Sequence, residues 1–240
     1  MSRTVDWSAL RASGGEAPEA EGLRERKKRA TRQQLTDTAT EMFLDRGFDA
    51  VTVAEIAATC GVSEKTVFNY FPTKESLLLD LPESVTAALR SGLAAPGATP
   101  VEAVLGILAG ELEAVVAWLR AQEDQIRAAA MFRRFGALLR STPSLRAHQR
   151  EMTERLIAVA AEVLSRRAEL GPADPEPQIA ATALLGLWPI QFRALGTYLD
   201  GSRTPGQLQE AVTADVRRAA RLLDSGLAGF PPSGGAADRR

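Results

Sequence analysis

The sequence GVSEKTVFNYFPTKESLLL, residues 61–79, decides how the N-terminal part of this 240-residue chain folds. Its pattern predicts a short helix at about 64–70, because Ser63 can cap the first turn and Val62 can pack on Val67. The side chains of this helix and of the residue that follows it therefore divide into an inner and an outer side.

At about 100° per residue, the apolar and polar side chains of this helix separate cleanly. Val67 and Phe71 are predicted to face inward, whereas Lys65 and Asn69 lie roughly 160° from Val67 and face outward. The flanks carry Thr66, Phe68 and Tyr70. Lysine can donate to guanine, asparagine can pair with adenine, and an aromatic edge can contact a thymine methyl group. The outer side is therefore a candidate for reading DNA bases.

Two further helices are predicted just upstream. The first, at about 24–46, carries one apolar stripe and ends at Gly47. The second, at about 53–60, begins with a capping box from Thr52 to Glu55. A helix, a tight turn containing glycine and a second helix are the outline of a helix-turn-helix.

Lys74 stands at the predicted start of a fourth helix, at about 74–92, with Thr73 as its N-cap. Its charge opposes the helix dipole there. A bound phosphate would reverse the sign, because the lysine and the helix N-terminus would attract the same anion. The alternative is a solvated lysine that tolerates a small penalty.

Basic residues are concentrated in RERKKRATR, residues 24–32, which holds six basic residues and one acidic residue, a net of +5. A basic arm before a helix-turn-helix can follow phosphates or enter the minor groove. An isolated run of this kind is more often only solvated. Next to an outward Lys65, Asn69 and Lys74, the DNA interpretation is favoured.

The segment RATRQQLTDTATEMFLDRGFDAVTVAEIAATCGVSEKTVFNYFPTKESLL resembles the N-terminal domain of the TetR (tetracycline-repressor) family of transcriptional regulators. The resemblance covers about residues 24–79 and implies that 64–70 is the recognition helix and that Lys74 contacts phosphate. It also implies a helical remainder that dimerises and binds a small effector. Phe68 departs from the tyrosine of many members. Tyr70 matches a common tyrosine whose hydroxyl either reaches phosphate or packs beside Phe71.

The residues predicted to contact DNA lie in the basic run, at the two helix starts, on the recognition helix and at the start of the fourth helix. They are Arg24, Lys27, Lys28, Arg29, Arg32, Thr52, Ser63, Glu64, Lys65, Thr66, Phe68, Asn69, Tyr70 and Lys74.

The composition predicts an all-α protein, since 45% of residues are apolar, only 5% are aromatic, and alanine and leucine are common. The net charge of -1 neither favours nor disfavours a polyanionic partner. The single cysteine fits a reducing compartment. The longest apolar run, residues 183–190, is shorter than a membrane span of roughly 20 residues, so we expect a soluble cytoplasmic protein.

Capping residues followed by proline mark most of the later helix starts. About nine helices are predicted in all, the last five at about 100–120, 123–140, 143–169, 175–199 and 205–225. The predicted organisation is a disordered tail at 1–22, a helix-turn-helix domain with its basic arm at 23–72, a helical effector-binding and dimerisation domain at 73–228, and a second tail at 229–240.

The eighth predicted helix is apolar on nearly all sides, so it has to be covered from more than one direction. Pro189 is expected to kink it. The ninth carries an apolar stripe, and the two helices together can form a four-helix interface with a second copy. The alternative is ordinary monomer core. A homodimer also suits a two-fold related DNA operator.

Large apolar residues of the C-terminal part are candidates for an effector pocket, or else plain core. They are Trp118, Met131, Phe132, Phe135, Trp188 and Phe192. Arg133 and Arg134 either meet an acidic ligand group or are solvated. The predicted protein is a repressor released from a palindromic operator by a small, largely apolar effector. The alternative is a constitutive regulator whose large domain only dimerises.

No enzyme is predicted, and no catalytic residue, metal site or cofactor. His148 is expected on a solvated helix face without a partner acid or nucleophile, and Cys60 on the inner side of the second helix. No phosphate-binding glycine motif is present in the sequence.

Overall fold

The structure, a computed structural model, describes residues 22–80, 83–171 and 174–226. Across these ranges it contains α-helices, one 3-10 turn and no strand, which confirms the all-α prediction. The helices are α1 Leu23–Arg46, α2 Val53–Thr59, α3 Glu64–Tyr70, α4 Glu83–Ala94, α5 Pro100–Ala121, α6 Gln125–Ser141, α7 Pro143–Arg167, α8 Pro175–Leu185, α9 Leu187–Tyr198 and α10 Pro205–Asp224. Apart from Gly22, the predicted tails at 1–22 and 229–240 lie outside the described residues.

Four later helices begin with proline after a predicted capping residue, but only Thr99 and Thr204 make a side-chain cap, whereas Thr142 and Asp174 make none. The Thr99 hydroxyl accepts from the Glu102 amide at 3.2 Å, and the Glu102 carboxylate accepts from the Thr99 amide at 2.7 Å. Thr204 and Gln207 form the same reciprocal pair. Each pair satisfies two amides that the first helical turn leaves without an intrahelical partner. Both helix starts are therefore complete capping boxes.

The prediction of one helix at 74–92 is wrong. Glu75–Leu77 form a single 3-10 turn, and α4 begins only at Glu83. Pro82 stands inside the predicted range. Because proline has no N–H and disfavours a helical residue before it, a continuous α-helix cannot run through this position without losing a hydrogen bond.

The predicted eighth helix is divided in two at Gly186, giving α8 and α9. The break lies three residues before Pro189. In a continuous helix, the ring of Pro189 would clash with the carbonyl of Leu185. The predicted helix is thus interrupted at Gly186, whose own dihedral angles stay in the right-handed helical region. Among the described residues, Pro175–Tyr198 is long and apolar enough to cross a membrane, with 39% of its most apolar window buried in the protein, as core helices also are.

Two apolar cores lie side by side. The smaller one is built from α1, α2, α3 and the 3-10 turn, and it also takes Leu139 from α6 and Leu145 from α7. The larger one is built from α4 to α10, and it takes Leu44 from the end of α1. Each group of helices therefore lends side chains to the core of the other, so the two cores are mechanically connected.

We predict that Leu145→Ala destabilises the smaller core although Leu145 lies outside the helix-turn-helix in sequence. Leu145 is fully buried, and removing a buried leucine side chain costs about 2–5 kcal/mol. Urea unfolding should show this loss in the free energy of unfolding, and amide exchange should accelerate in α1 to α3. Leu170→Ala, at a residue that is 39% exposed, is the control and should cost within about 1 kcal/mol. Equal costs for the two variants would contradict the shared core.

Candidate nucleic-acid interface

The turn between α2 and α3 is closed by two backbone hydrogen bonds. The Val62 amide donates to the Ala57 carbonyl at 3.0 Å, and the Gly61 amide donates to the Ala58 carbonyl at 3.2 Å. Gly61 has a φ of 70°, a left-handed conformation that glycine adopts without strain. This turn fixes the angle at which α3 leaves α2.

Side-chain caps hold the start of both helices. Thr52 and Glu55 form a capping box on α2, in which the Glu55 carboxylate accepts from the Thr52 amide at 2.8 Å. Arg46 donates to the same carboxylate at 2.8 Å. These hydrogen bonds, those from Thr52 first and that from Arg46 next, lower the pKa of Glu55 to about 2. Ser63 caps α3 by accepting from the Thr66 amide at 3.1 Å.

The two sides of α3 are as predicted. Val67 and Phe71 are each 1% exposed and pack in the smaller core. Lys65 and Asn69 are exposed on the other side, and Phe68 is 47% exposed. The helix therefore presents a cation, an amide and an aromatic ring to solvent, held by a buried valine and phenylalanine.

Of the remaining predicted contact residues on or next to α3, one is exposed and the others also make contacts within the protein. Glu64 is exposed at the first turn. The hydroxyls of Thr66 and Ser63 lie 2.8 Å apart and bond to each other. Tyr70 is half-buried and packs against the smaller core.

Arg32 is directed into the protein. Its guanidinium donates to the Tyr70 carbonyl at 2.9 Å, pairs with the Asp80 carboxylate and lies 4.4 Å from the centre of the Phe71 ring. These contacts tie α1 to the end of α3 and to the segment after the 3-10 turn. The sequence predicted Arg32 to be one of the DNA-binding cations. Its contacts with residues 70–80 become visible only in the fold, which brings these residues close to α1.

The rest of the basic run forms the first turns of α1 and is not an extended arm. Arg24, Lys27, Lys28 and Arg29 are all exposed. Lys28 approaches Glu25 at 3.8 Å, a loose pair between exposed side chains. These residues lie within the helix predicted at about 24–46, and their contact with phosphates or with the minor groove stays a prediction.

Lys74 lies beside two aromatic rings. Its ammonium nitrogen is 4.3 Å from the centre of the Phe48 ring and 5.6 Å from that of Phe43. The ring faces attract the cation, and the dipole penalty expected from the sequence is reduced because a 3-10 turn, and no α-helix, begins here. The Thr73 hydroxyl accepts from the Ser76 amide at 3.2 Å, so it caps the 3-10 turn rather than a long helix.

The predicted effector residues do not all line one space. A groove of about 510 Å³ lies between α6 and α9 and is lined by Phe132 and Phe192 together with Arg133, Arg134 and Arg140. Trp118 is buried in the larger core, and Met131, Phe135 and Trp188 pack against that core. The sequence pattern did not predict Arg140 as a lining residue, because its place in the groove depends on how α6 packs on α9.

Trp188 has a polar partner inside the larger core. Its indole N–H donates to the Glu111 carboxylate at 3.1 Å. Burial raises the pKa of Glu111, and the hydrogen bond from Trp188 opposes that shift. Trp188 is therefore held by a defined contact, and a carboxyl lies within the helical bundle where the sequence pattern did not predict one.

His148 corrects another prediction. It is half-buried, and its Nε2 atom lies 3.0 Å from the Leu79 carbonyl oxygen, so α7 contacts the segment that follows the 3-10 turn. The expectation of a solvated face is wrong for His148, because α7 packs along this segment, and its contact is a backbone carbonyl, which is neither an acid nor a nucleophile. Cys60 is half-buried, with its sulfur 3.9 Å from the Gln34 carbonyl oxygen. Within the described ranges no group of three or more His, Cys, Asp or Glu side chains could hold a metal ion.

An α3 that exposes a lysine, an aromatic ring and an amide, held by a capped tight turn on α2, is typical of the class of helix-turn-helix DNA-binding proteins. Residues 35–81 match the description "Bacterial regulatory proteins, tetR family", and residues 105–228, just over half of the chain, match the MftR C-terminal domain. The chain belongs to the TetR family of DNA-binding transcriptional regulators. This confirms the resemblance found in the sequence.

Individual relatives agree with this assignment. The regulator TcmR of Streptomyces glaucescens is 30% identical over 152 residues, which is 62% of this chain and 66% of TcmR. BetI of Rhizobium meliloti is 37% identical over 98 residues, 37% of this chain and 48% of BetI. The alignments thus span just under two thirds and about half of these relatives. The crystal structure of NalD, the secondary repressor of the MexAB-OprM multidrug efflux pump in Pseudomonas aeruginosa, is 25% identical, covers 80% of this chain and 97% of NalD, and has a TM-score of 0.45.

We predict that acid weakens the start of α2. The pKa of Glu55 is lowered to about 2 in the folded protein, against roughly 4.3 when unfolded. The capping contribution is therefore present above about pH 4.3 and is lost as the pH falls toward about 2. Urea unfolding at a series of pH values below about 5 should show a steeper fall in stability for the native chain than for Glu55→Gln. Parallel curves for the two proteins would contradict the assigned pKa.

Proposed function

We propose that the protein is a homodimeric repressor that binds a palindromic DNA operator through α3 and is released by a small, largely apolar effector. One observation carries the DNA-binding part of this proposal. α3 turns Lys65, Phe68 and Asn69 to solvent while Val67 and Phe71 anchor it in the smaller core. A short capped helix with this division of side chains fits the major groove.

Each exposed group of α3 has a chemical match on a base pair. Lys65 would donate to guanine O6 and N7, Asn69 would pair with adenine N6 and N7, and Phe68 would contact a thymine methyl group. Tyr70, half-buried, would reach the backbone only through its hydroxyl. Glu64, exposed at the first turn of α3, would accept from cytosine N4. The hydroxyls of Thr66, Ser63 and Thr52, at or near the capped helix starts, would contact the DNA backbone next to the bases read by α3.

Backbone contacts would come from cations on both sides of α3. The exposed Arg24, Lys27, Lys28 and Arg29 of α1 would follow phosphates along one strand. Lys74 would reach a phosphate while its position is fixed by the Phe48 ring. Arg32 would act indirectly, since its contacts with Tyr70 and Asp80 hold α1 against α3.

The dimer would form through the exposed faces of α8, α9 and α10. The stripe of α10 that suggested an interface includes Leu208, Val212 and Val216, which are buried in the protomer's own core. The outward faces still expose large apolar groups, with Ile179 67% and Leu222 40% exposed. Two copies related by a two-fold axis would set their α3 helices one DNA turn apart, about 34 Å.

Release by an effector is a shift between two arrangements of the α3 pair. The contacts that link the two cores, among them Leu145 in the smaller core and Leu44 in the larger one, would transmit the change. An effector shifts the equilibrium only by its difference in affinity for the two arrangements. We place the regulator in the cytoplasm, where its DNA is.

The constitutive alternative makes a different prediction for a ligand screen. A true effector in excess should raise the midpoint of thermal unfolding and also weaken operator binding. A compound that raises the midpoint without affecting operator binding would favour a large domain that serves only dimerisation. Footprinting on DNA that flanks the protein's own gene would supply the operator for this comparison.

We predict that Asn69→Ala relaxes the sequence preference at one base pair of each half-site. The loss of the bidentate contact with adenine should cost about 1–3 kcal/mol there and little elsewhere. Binding to a panel of operators with single substitutions would measure it. Gln149→Ala, which removes an exposed amide from α7, is the matched control. An unchanged preference in Asn69→Ala would mean that α3 does not read bases as proposed.

We predict that Lys74→Ala acts on all DNA sequences alike. Loss of one phosphate contact should weaken binding uniformly and reduce the slope of log K against log salt by about one. Because Lys74 also lies on the Phe48 ring, unfolding has to be followed in parallel. Lys74→Arg should keep most of the salt slope. A slope that Lys74→Ala leaves unchanged would remove Lys74 from the phosphate contacts.

We predict a dimer in solution. Sedimentation equilibrium at micromolar concentration should give twice the chain mass of 25.7 kDa. Ile179→Glu places a charge on the exposed apolar face of α8 and should shift the mass toward the monomer, because a buried unpaired charge is costly. Ile126→Glu is the control, since Ile126 is 74% exposed on α6. A monomeric native chain would exclude the proposed interface.

A further inference from the structure

The groove between α6 and α9 combines two kinds of lining. On the apolar side, the ring centres of Phe132 and Phe192 lie 6.3 Å apart. On the polar side, Arg133, Arg134 and Arg140 all reach the groove, and the other lining residues are Ala130, Gly136, Ala137 and Gly196. The lining thus has three cations and no carboxylate to neutralise them.

Gly136 sets the width of the groove. A Cβ atom at this position would lie 3.1 Å from Nη1 of Arg140 and 3.5 Å from the Phe192 ring. The missing side chain lets the Arg140 guanidinium and the Phe192 ring approach the backbone of α6 together. A glycine within a helix costs about 1 kcal/mol relative to alanine. This close approach therefore lowers the stability of α6.

We infer that this groove is the effector site of the regulator and that it takes a small organic anion with an apolar body. The inference rests on the proposed function, and it names the chemical class of the effector. The volume of about 510 Å³ lies in the range of small-molecule sites. The phenylalanines cover the apolar body, and Arg133 and Arg140 bind the carboxylate, sulfonate or phosphate group through charge-assisted hydrogen bonds.

Arg134 connects this site to the helix-turn-helix. Its Nη2 atom donates to the Leu44 carbonyl oxygen of α1 at 2.7 Å, and the same residue lines the groove. Leu44 itself packs in the larger core. An anion in the groove competes with a neutral carbonyl for this guanidinium, and the charged acceptor makes the stronger hydrogen bond. Occupancy therefore loosens the link between α6 and the end of α1, which couples the groove to DNA binding.

The test compares two fluorescent probes of nearly the same shape, anilinonaphthalene sulfonate, which is anionic, and N-phenylnaphthylamine, which is neutral. Both are titrated into the full chain, the double variant Arg133→Gln/Arg140→Gln, and the control Arg120→Gln/Arg150→Gln. The control removes two exposed arginines outside the groove. Circular dichroism melting verifies that each variant is folded. Gly136→Leu fills the groove without changing its charge.

We expect the groove variant to lose affinity for the sulfonate by at least about tenfold, with the neutral probe affected little and the control unchanged. Gly136→Leu should weaken both probes. Equal losses in groove and control variants, or a sulfonate affinity that Gly136→Leu leaves intact, would overturn the site.

Operator binding separates this inference from the proposed function. If the sulfonate binds in the groove and releases operator DNA from the native chain but less readily from Arg134→Gln, both proposals stand. If it binds in the groove with the expected charge dependence and operator binding does not change, the anion site stands and the regulatory role assigned to it is wrong.

Discussion

The burial of Leu145 against the DNA-binding helices is the contact on which the rest of the structure depends. This leucine begins α7, yet it is fully buried in the core formed by α1, α2, α3 and the 3-10 turn. Leu139 of α6 joins the same core. Without these two side chains the small core would expose apolar surface, because one long and two short helices bury little by themselves. The DNA-binding part therefore needs the larger part in order to be well packed.

Under the proposed function, the same dependence would give the molecule a route for regulation. Contacts between the two parts include the His148 bond to the Leu79 carbonyl and the Arg134 bond to the Leu44 carbonyl. Both acceptors are backbone carbonyls. The Leu79 carbonyl lies just after the helix-turn-helix, and the Leu44 carbonyl lies at the end of α1. Because packed cores respond by switching between arrangements rather than by continuous deformation, a small change in α6 or α7 can reorient α1 and, through Arg32, α3.

The helix-turn-helix was predictable almost to the residue, since its signals are local. The capping box at Thr52, the N-cap at Ser63 and the glycine turn at Gly61 each depend on residues within a few positions of one another. The inner and outer sides of α3 follow from helical periodicity. The start of α4 was missed although its signal, Pro82, is equally local, because the apolar pattern on both sides of it outweighed one residue.

The sequence by itself determined the all-α class, the position and orientation of α3, and membership of the TetR family, because propensity, capping and periodicity act over one or two helical turns. Only the tertiary structure decided the partners of Arg32, Lys74, Arg134 and His148, and with them the groove between α6 and α9. Those contacts join residues that are from 26 to 90 positions apart in the chain. A long side chain such as arginine gives the same polar signal in sequence whether it ends in solvent, on a ring or on a distant carbonyl. The helix packing chooses between these outcomes.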